Sequence, residues 1–503
     1  MFSIGPYQLA SRVVLAPMAG VTDRPFRQLC RQFGVGLAVS EMVTSDSKLW
    51  SSRKSQMRLD HTGEAGPRSV QIAGSEPGMM AIAAVLNAER GADIIDINMG
   101  CPAKKVTQGA SGSALMKTPD HALHLIEAVV NAVDVPVTLK TRLGWDDGML
   151  NAAIIAKRAE AARVRAMFEA AGALAVEAAV LQPAELLLDL YGEDIRARAY
   201  VTSDALRGEQ MLRPDFTVPV VQMHMQHGAE PARYTYSGEV FRRQEDDGNR
   251  ANEYLQVGYE IFERDAPHEA DAEVFALMAQ ALGNAPVRAA TGDIGILVAA
   301  VSALETSDAR KGALLRHIWR PRRFRALLDR YSKPAAEREF PAFEDVGPEI
   351  GLRSKADVEA RLDVLRGDAQ TPPISAREIE LIEALLSVRE ILPFALERLR
   401  DLAVDLPAIS PAVERLGARM IALRTRGVDV SKLEFEASYG RTLMEYYDGF
   451  VFGFYAETRA DLPPIATGGR YDALTRQLGQ GAEIPAVGGV IRPDLLMILE
   501  GAV

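Results

Sequence analysis

A regular series of chemically capable residues runs through the first third of the sequence. Pro17-Met18-Ala19-Gly20, Glu41, Gln71, Asn98 with Cys101, and Lys140 with Arg142 each close or follow a short apolar run. Asn98 offers both a donor and an acceptor, Cys101 a thiol with an ordinary pKa of about 8.5, and Lys140 and Arg142 fixed positive charge. A thiol on a loop beside a strand end is a usable proton donor. Taken singly, the plainer readings hold more often: a small buried thiol at Cys101 and a satisfied core amide at Gln71. Lys104-Lys105 fits a solvated turn or a phosphate contact, and Gly109 with Gly112 forms no P-loop pattern. Cys30 and Cys101 make neither a disulfide framework nor a zinc pattern. His224 and His227 have no third ligand at useful spacing, so no metal is expected. The basic run Arg316–Arg330, RHIWRPRRFRALLDR, reads as a solvated helix face beside Trp319, with a phosphate or acidic-partner contact as the alternative.

The elements that must carry the first series are strands at Arg12–Ala16, Leu37–Ser40, Arg68–Ile72, Ile94–Asn98 and Val135–Thr141. Helical patterns at Pro25–Phe33, Pro77–Arg90 and Asp120–Ala132 alternate with them. Such alternation predicts a parallel sheet, and the polar residues fall at the C-terminal strand ends, where a (β/α) barrel builds its chemistry. A complete barrel has eight strands, whereas five precede an Ala-rich helix spanning Asn151 to about Gly172. We place a junction inside Ala161–Arg165, because the pattern changes beyond it. A strand is expected at Val176–Leu181, and strands Ala232–Arg242 and Tyr254–Phe262 frame a charged loop, Arg243–Glu253, as a hairpin. A helix follows at Asp271–Leu282, then a mainly helical stretch over about 293–427 with a Pro-marked linker at Ser332–Pro348. Strand and turn character returns at Phe435–Tyr447, Phe450–Tyr455 and Gly468–Asp472.

At 503 residues, with 48% hydrophobic and 25% charged residues, several ordinary globular domains are expected. The net charge of −11 is uneven: residues 1–147 carry 15 basic and 14 acidic side chains, leaving −12 for the rest. That acidity argues against broad nucleic-acid binding in the second part, while the first part permits RNA contact. No apolar run approaches a membrane span, Met1–Ala10 is unlike a signal peptide, and the cysteine usage fits a cytoplasmic location.

Four motifs in order, LAPMAGVTDRPFR, SVQIAGSEP, DINMGCPAKKV and TLKTRLGWDD, resemble the tRNA-dihydrouridine synthases, the B type in particular, over about residues 1–162. The resemblance implies a flavin-type TIM barrel that reduces tRNA uridines with hydride passed from NADPH through FMN. It implies that Pro17, Met18 and Ala19 line the flavin and that Gln71 and Lys140 bond its ring. Cys101 would protonate the uracil, with Asn98 and Arg142 on the substrate side. The late strands, which in such barrels commonly grip the cofactor phosphate, are missing, so a truncated and inactive barrel is one expectation and an active one the alternative.

YTYSGEVFRRQ and EYLQVGYEIFE resemble the second signature motif of class II aminoacyl-tRNA synthetases, an α+β antiparallel fold. LRPDFT, ATGGRYDALTRQLG and EIPAVGG narrow this to the histidyl-tRNA-synthetase-like branch. Within it, residues 163–503 resemble the ATP phosphoribosyltransferase regulatory subunit of histidine biosynthesis. The resemblance implies a non-catalytic, cofactor-free domain in a hetero-oligomer with a short-form catalytic subunit, and histidine as effector. It implies histidine-binding positions at Asp215, Thr217, Arg242, Gln256, Glu260, Arg441 and Tyr447, with a one-residue insertion near Glu445. In GVIRPDL, Leu495 stands where the third motif places an ATP-binding arginine, and Pro493 is expected to disturb the helix start. No anticodon-binding domain is expected after Val503. Both departures weigh against a third reading, an active histidyl-tRNA synthetase.

Overall fold

The structure is a computed structural model and describes residues 3–185, 187, 199–243, 251–334, 354–441 and 446–499. The chain divides into two compact units, Met1–Arg163 and Val164–Ala502. The boundary falls within one helix, Ala152–Ala170, the Ala-rich segment of strong helix formers.

Unit 1 opens with a small hairpin, β1 (Ser3–Ile4) and β2 (Tyr7–Gln8). Parallel strands follow: β3 (Val14–Leu15), β4 (Leu37–Ala38), β5 (Val43–Thr44), β6 (Ser69–Ala73), β7 (Ile94–Met99) and β8 (Val137–Thr141). β3 pairs with β4, β5 with β6, β6 with β7 and β7 with β8, and a bridge from Val39 to Ser69 ties β4 to β6. Since β4 and β5 lie along one side of β6, the unit presents five successive strand positions, as the sequence pattern suggests. Alternation sorts the side chains. Val70, Ile72, Ile95 and Ile97 join a buried cluster with Met80, Ala83, Leu125 and Val129 from the helices Pro77–Glu89 and Pro119–Val130. The opposite face carries Gln71, Asp96 and Asn98. The register places Gln71 beside Asp96, Asp96 beside Thr138 and Asn98 beside Lys140.

Unit 2 is built on a mostly antiparallel nine-stranded sheet. Its strands are β9 (Leu174–Ala175), β13 (Ala232–Phe241), β14 (Glu253–Phe262), β15 (Val287–Asp293), β16 (Arg389–Ile391), β17 (Glu434–Glu436), β18 (Phe450–Ala456), β19 (Ala466–Arg470) and β20 (Ala486–Ile491). Their order is β16-β17-β15-β18-β19-β20-β14-β13-β9. A second sheet orders β10 (Leu181–Pro183), β12 (Gly208–Leu212) and β11 (Val201–Asp204) as β10-β12-β11. The single strand expected at Val176–Leu181 is therefore divided. The chain leaves the edge of β13 after Val176 and joins the other sheet at Leu181, because β9 and β10 pair with different partners. The expected hairpin forms in full register, from Ala232 opposite Phe262 to Phe241 opposite Glu253. Of its loop, 244–250 lie outside the described residues, as do 335–353 of the Pro-marked linker and 442–445 around the insertion near Glu445. The helical stretch begins at Ile294–Ser302 and closes with Ser410–Thr425. Two of its helices start on capping boxes, Ser354 with Asp357 and Ser375 with Glu378.

A buried ionic network fastens that helical stretch to the sheet. Asp271, on the helix Pro267–Leu282, accepts from Arg419 Nε at 2.8 Å and from Arg470 Nη2 at 2.6 Å, and Arg419 also reaches Asp293 at 2.9 Å. Among the described residues, no helix is long and apolar enough to cross a membrane.

Candidate functional site

The polar face of β6–β8 closes on a cavity of about 190 Å³ at the C-terminal strand ends. Pro17, Ala19, Gln71, Asn98, Cys101 and Lys140 line it, with Met42, Gly100 and Pro102. The side chains hold each other in place. Gln71 donates from Nε2 to Asp96 at 2.6 Å and accepts from Asn98 Nδ2 at 2.7 Å. Asn98 Oδ1 accepts from the Cys101 amide at 3.0 Å, which fixes the loop carrying the thiol. Burial pushes the Asp96 carboxyl up to about 6, against the pull of Thr138, Gln71 and Lys140. Met18 is 39% exposed and Arg142 is exposed; neither lines the cavity, although the backbone of Met18 ties down the turn by accepting from Val21 and Thr22. Asp96 and Met42 were missed by sequence reasoning. Asp96 was legible as the inward partner of Asn98 two residues along β7.

The residues present fit the ring portion of a flavin: amide and lysine donors face one cavity floored by Pro17 and Ala19. For a phosphate the fit fails. Such a group needs helix N-termini or several basic donors, and Lys140 is the cation in the lining.

In unit 2 a smaller cavity, about 40 Å³, lies between the start of the helix Thr217–His227 and the strands β14, β19 and β20. Asp215, Thr217, Arg242, Gln256 and Tyr447 line it, joined by Tyr446, Thr467 and Tyr471. Gln256 Oε1 is buried with no hydrogen-bond partner, an acceptor left for something polar. Arg242 is held by its Nε bond to Pro214 O at 2.7 Å.

Glu260 stands behind this lining. It accepts from Thr217 Oγ1 at 3.0 Å, Tyr236 OH at 2.8 Å and Tyr471 OH at 2.6 Å. Burial pushes its carboxyl up to about 7, while those three hydroxyls pull the other way. A Cβ at Gly488 would sit 1.4 Å from Glu260 Oε2, so the glycine there is what admits the carboxylate. Tyr236 and Tyr471 were missed by sequence reasoning; the Gly488-Gly489 pair inside a strand was the available signal.

Arg441 does not join this cavity. Its Nε donates to Ile318 O at 2.7 Å and its guanidinium lies over Phe324 at 4.7 Å, in the lining of a different cavity. Pro493 does not disturb its helix. It is the first residue of the helix Pro493–Leu499, the position at which a fixed φ and a missing N–H are tolerated. Leu495 is buried on that helix, and Arg492 is engaged with Asp494 at 3.3 Å and stacked 3.9 Å over Tyr254. His224 is packed against Phe262 and bonded through Nδ1 to Tyr234 OH at 3.0 Å.

The sequence pattern of the family described as Dihydrouridine synthase (Dus) matches residues 14–168. That of Histidyl-tRNA synthetase matches 149–346 and 353–496. The two matches overlap on the Ala152–Ala170 helix. The tRNA-dihydrouridine synthase B of Pseudomonas aeruginosa is 62% identical over 164 residues, 33% of this chain and 49% of the relative. That of Vibrio vulnificus is 58% identical over 164 residues, 33% of this chain and 51% of the relative. The chain thus spans about half the length of the curated relatives it matches. Unit 2 is similar in fold to a Bacillus halodurans protein described as an ATP phosphoribosyltransferase regulatory subunit/histidyl-tRNA synthetase. The TM-score is 0.50 at 21% identity, covering 68% of this chain and 79% of that one. A dihydrouridine-synthase domain of TIM-barrel type therefore precedes a class II synthetase-like fold, and the chain, more than half of which matches the family pattern, belongs to the histidyl-tRNA synthetase family.

Proposed function

We propose that unit 2 is the working part of the chain and serves as a non-catalytic regulatory subunit of an ATP phosphoribosyltransferase, with histidine or a close analogue as its effector. One observation carries the reading. The third-motif position that would supply a cation to ATP is Leu495, 5% exposed and packed inward, and the neighbouring Arg492 is already committed to Asp494 and Tyr254. Adenylate formation without that charge would leave the developing negative charge on phosphate unmatched. The amino-acid side of the pocket is better kept: Asp215, Thr217, Arg242, Gln256 and Tyr447 converge, and Gln256 has an acceptor to spare. At about 40 Å³ the cavity holds little more than a water, so a bound amino acid has to displace side chains of its wall.

Histidine calorimetry on the full chain tests the site. Gln256→Leu should weaken binding by about 1–2 kcal/mol, because a buried polar partner is removed. Equal affinity for wild type and variant would contradict the assignment.

Unit 1, on the same reading, keeps the contacts of a flavin ring and loses the rest. Pro17, Ala19, Gln71 and Lys140 would hold the ring, which when bound supplies hydride, and Cys101 would supply the proton to a pyrimidine held by Asn98. A bifunctional chain that also reduces tRNA uridines is the second reading, favoured by the convergence of those six residues on one cavity.

A further inference from the structure

We propose a second ligand site in unit 2, distinct from the Gln256 cavity: an anion site for a small phosphate ester, formed by Arg441, Arg322, Arg325 and the N-terminus of the helix Pro321–Tyr331. These residues line a cavity of about 490 Å³ whose walls include Tyr439 and Tyr455. A volume of that order is typical of small-molecule sites.

Three features, one on Arg441 and two at the start of the helix Pro321–Tyr331, point to an anion. First, Arg441 is only 3% exposed, yet its Nη2 has no hydrogen-bond partner, and its Nε is satisfied only by a neutral carbonyl, Ile318 O. Among the described residues, no carboxylate pairs with Arg441, Arg322 or Arg325. A buried guanidinium short of partners is costly, and burial together with Arg325 pushes its pKa down to about 10. Second, the helix start is uncapped: Arg320 gives no side-chain acceptor, and the first turn contains no acidic residue. Phe324 N makes the bond to Arg320 O, and the N–H groups of Arg322 and Arg323 precede it. Third, that first turn is basic, the wrong sign for the positive end of a helix dipole. His317, on the preceding turn, is pushed down by its burial and by Arg320, Arg323 and Arg316.

A dianion in this cavity would resolve all three features at once. It accepts bidentately from a guanidinium, takes up free helix N–H groups, and neutralises the first turn. Glu436 is also in the lining; it accepts from Ser438 Oγ and lies 3.7 Å from Arg389, which partly offsets its charge. The aromatic walls and the volume exceed what bare phosphate needs, which is why the ligand is assigned as an ester with an organic group against Tyr439 and Tyr455. The proposal does not depend on the regulatory reading, since it uses none of the Gln256 cavity residues.

The experiment is calorimetry on the full chain with inorganic phosphate and with phenyl phosphate, each against sodium chloride at equal ionic strength. Saturable binding of both is expected, tighter for phenyl phosphate. The exposed double variant Arg322→Glu/Arg325→Glu should lose at least tenfold in affinity while its circular dichroism is unchanged. Arg441→Lys, which keeps the charge and loses the fork, should fall between the two. No saturable heat beyond the chloride control, or equal affinity in the double variant, would overturn the site. Phosphate binding as tightly as phenyl phosphate would overturn the ester.

Discussion

In unit 1 the groups that would touch a reactant converge, with Gln71, Asn98, Cys101 and Lys140 around one cavity, but the sheet that carries them ends at β8, whose residues are half-buried or exposed. In unit 2 the frame is extensive. Nine strands are hydrogen-bonded in order and Asp271 is locked between Arg419 and Arg470, while on the helix Pro493–Leu499 Leu495 is buried and the neighbouring Arg492 is engaged with Asp494. Contact residues and frame are thus separable. A few short motifs preserve the first, because each strand end places its own side chain. The second depends on elements far apart in sequence and is lost whenever some of them are absent.

The largest expected effect lies in the frame of unit 2. Replacing Asp271 with Ala leaves Arg419 and Arg470 buried without their shared counter-charge, which should cost about 3–5 kcal/mol in a denaturant titration. A cost below about 1 kcal/mol would mean that the ionic network is not what fastens the helical stretch to the sheet.

Next in size is a pH dependence at Glu260. Its folded pKa, about 7, lies above the ordinary 4.5, so between these values the folded state holds a proton that the unfolded state has released. Stability is then fullest below about pH 4.5 and falls as pH rises through 7, by on the order of 2–3 kcal/mol. Asp448 is also raised to about 7 by burial and tilts the curve in the same direction, so the decisive comparison is with Glu260→Gln. That variant should show a visibly flatter slope between pH 5 and 7; an identical slope would rule out Glu260 as its source.

The smallest effect concerns unit 1. Freed of unbound flavin, the full chain should carry well under one FMN per molecule, since the ring contacts alone must offset the desolvation of a phosphate. Lys140→Ala should lower that occupancy further, by about 1 kcal/mol of binding. The visible spectrum checks both. A yellow, stoichiometric protein whose tRNA-reducing activity vanishes on Cys101→Ala would show that contact residues suffice without the frame.

Much of this was legible in the sequence because it is local. Short apolar runs alternating with helical patterns located the strands that carry Gln71, Asn98 and Lys140, and the charged loop between two strand-like runs located the β13–β14 hairpin. What escaped is long-range. Arg441 lies on a turn whose packing is set by Phe324 and Ile318, more than a hundred residues away, so a motif position did not reveal which cavity it faces. Glu260 is expected among the histidine-binding positions; the structure sets it behind the cavity lining, held by Tyr236 and Tyr471, which meet only through the sheet order. Pro493 was misjudged because the same residue breaks a helix interior and begins a helix, and only the boundary decides between them.

The most direct test of the central claim is to mix the full chain with a short-form ATP phosphoribosyltransferase catalytic subunit at micromolar concentration and follow sizing elution and transferase activity together. The account predicts co-elution, a rise in activity over the catalytic subunit alone, and suppression of that rise by histidine. Separate elution with unchanged activity, accompanied by histidine-dependent ATP–pyrophosphate exchange by the chain itself, would contradict it and return unit 2 to the aminoacylating enzymes.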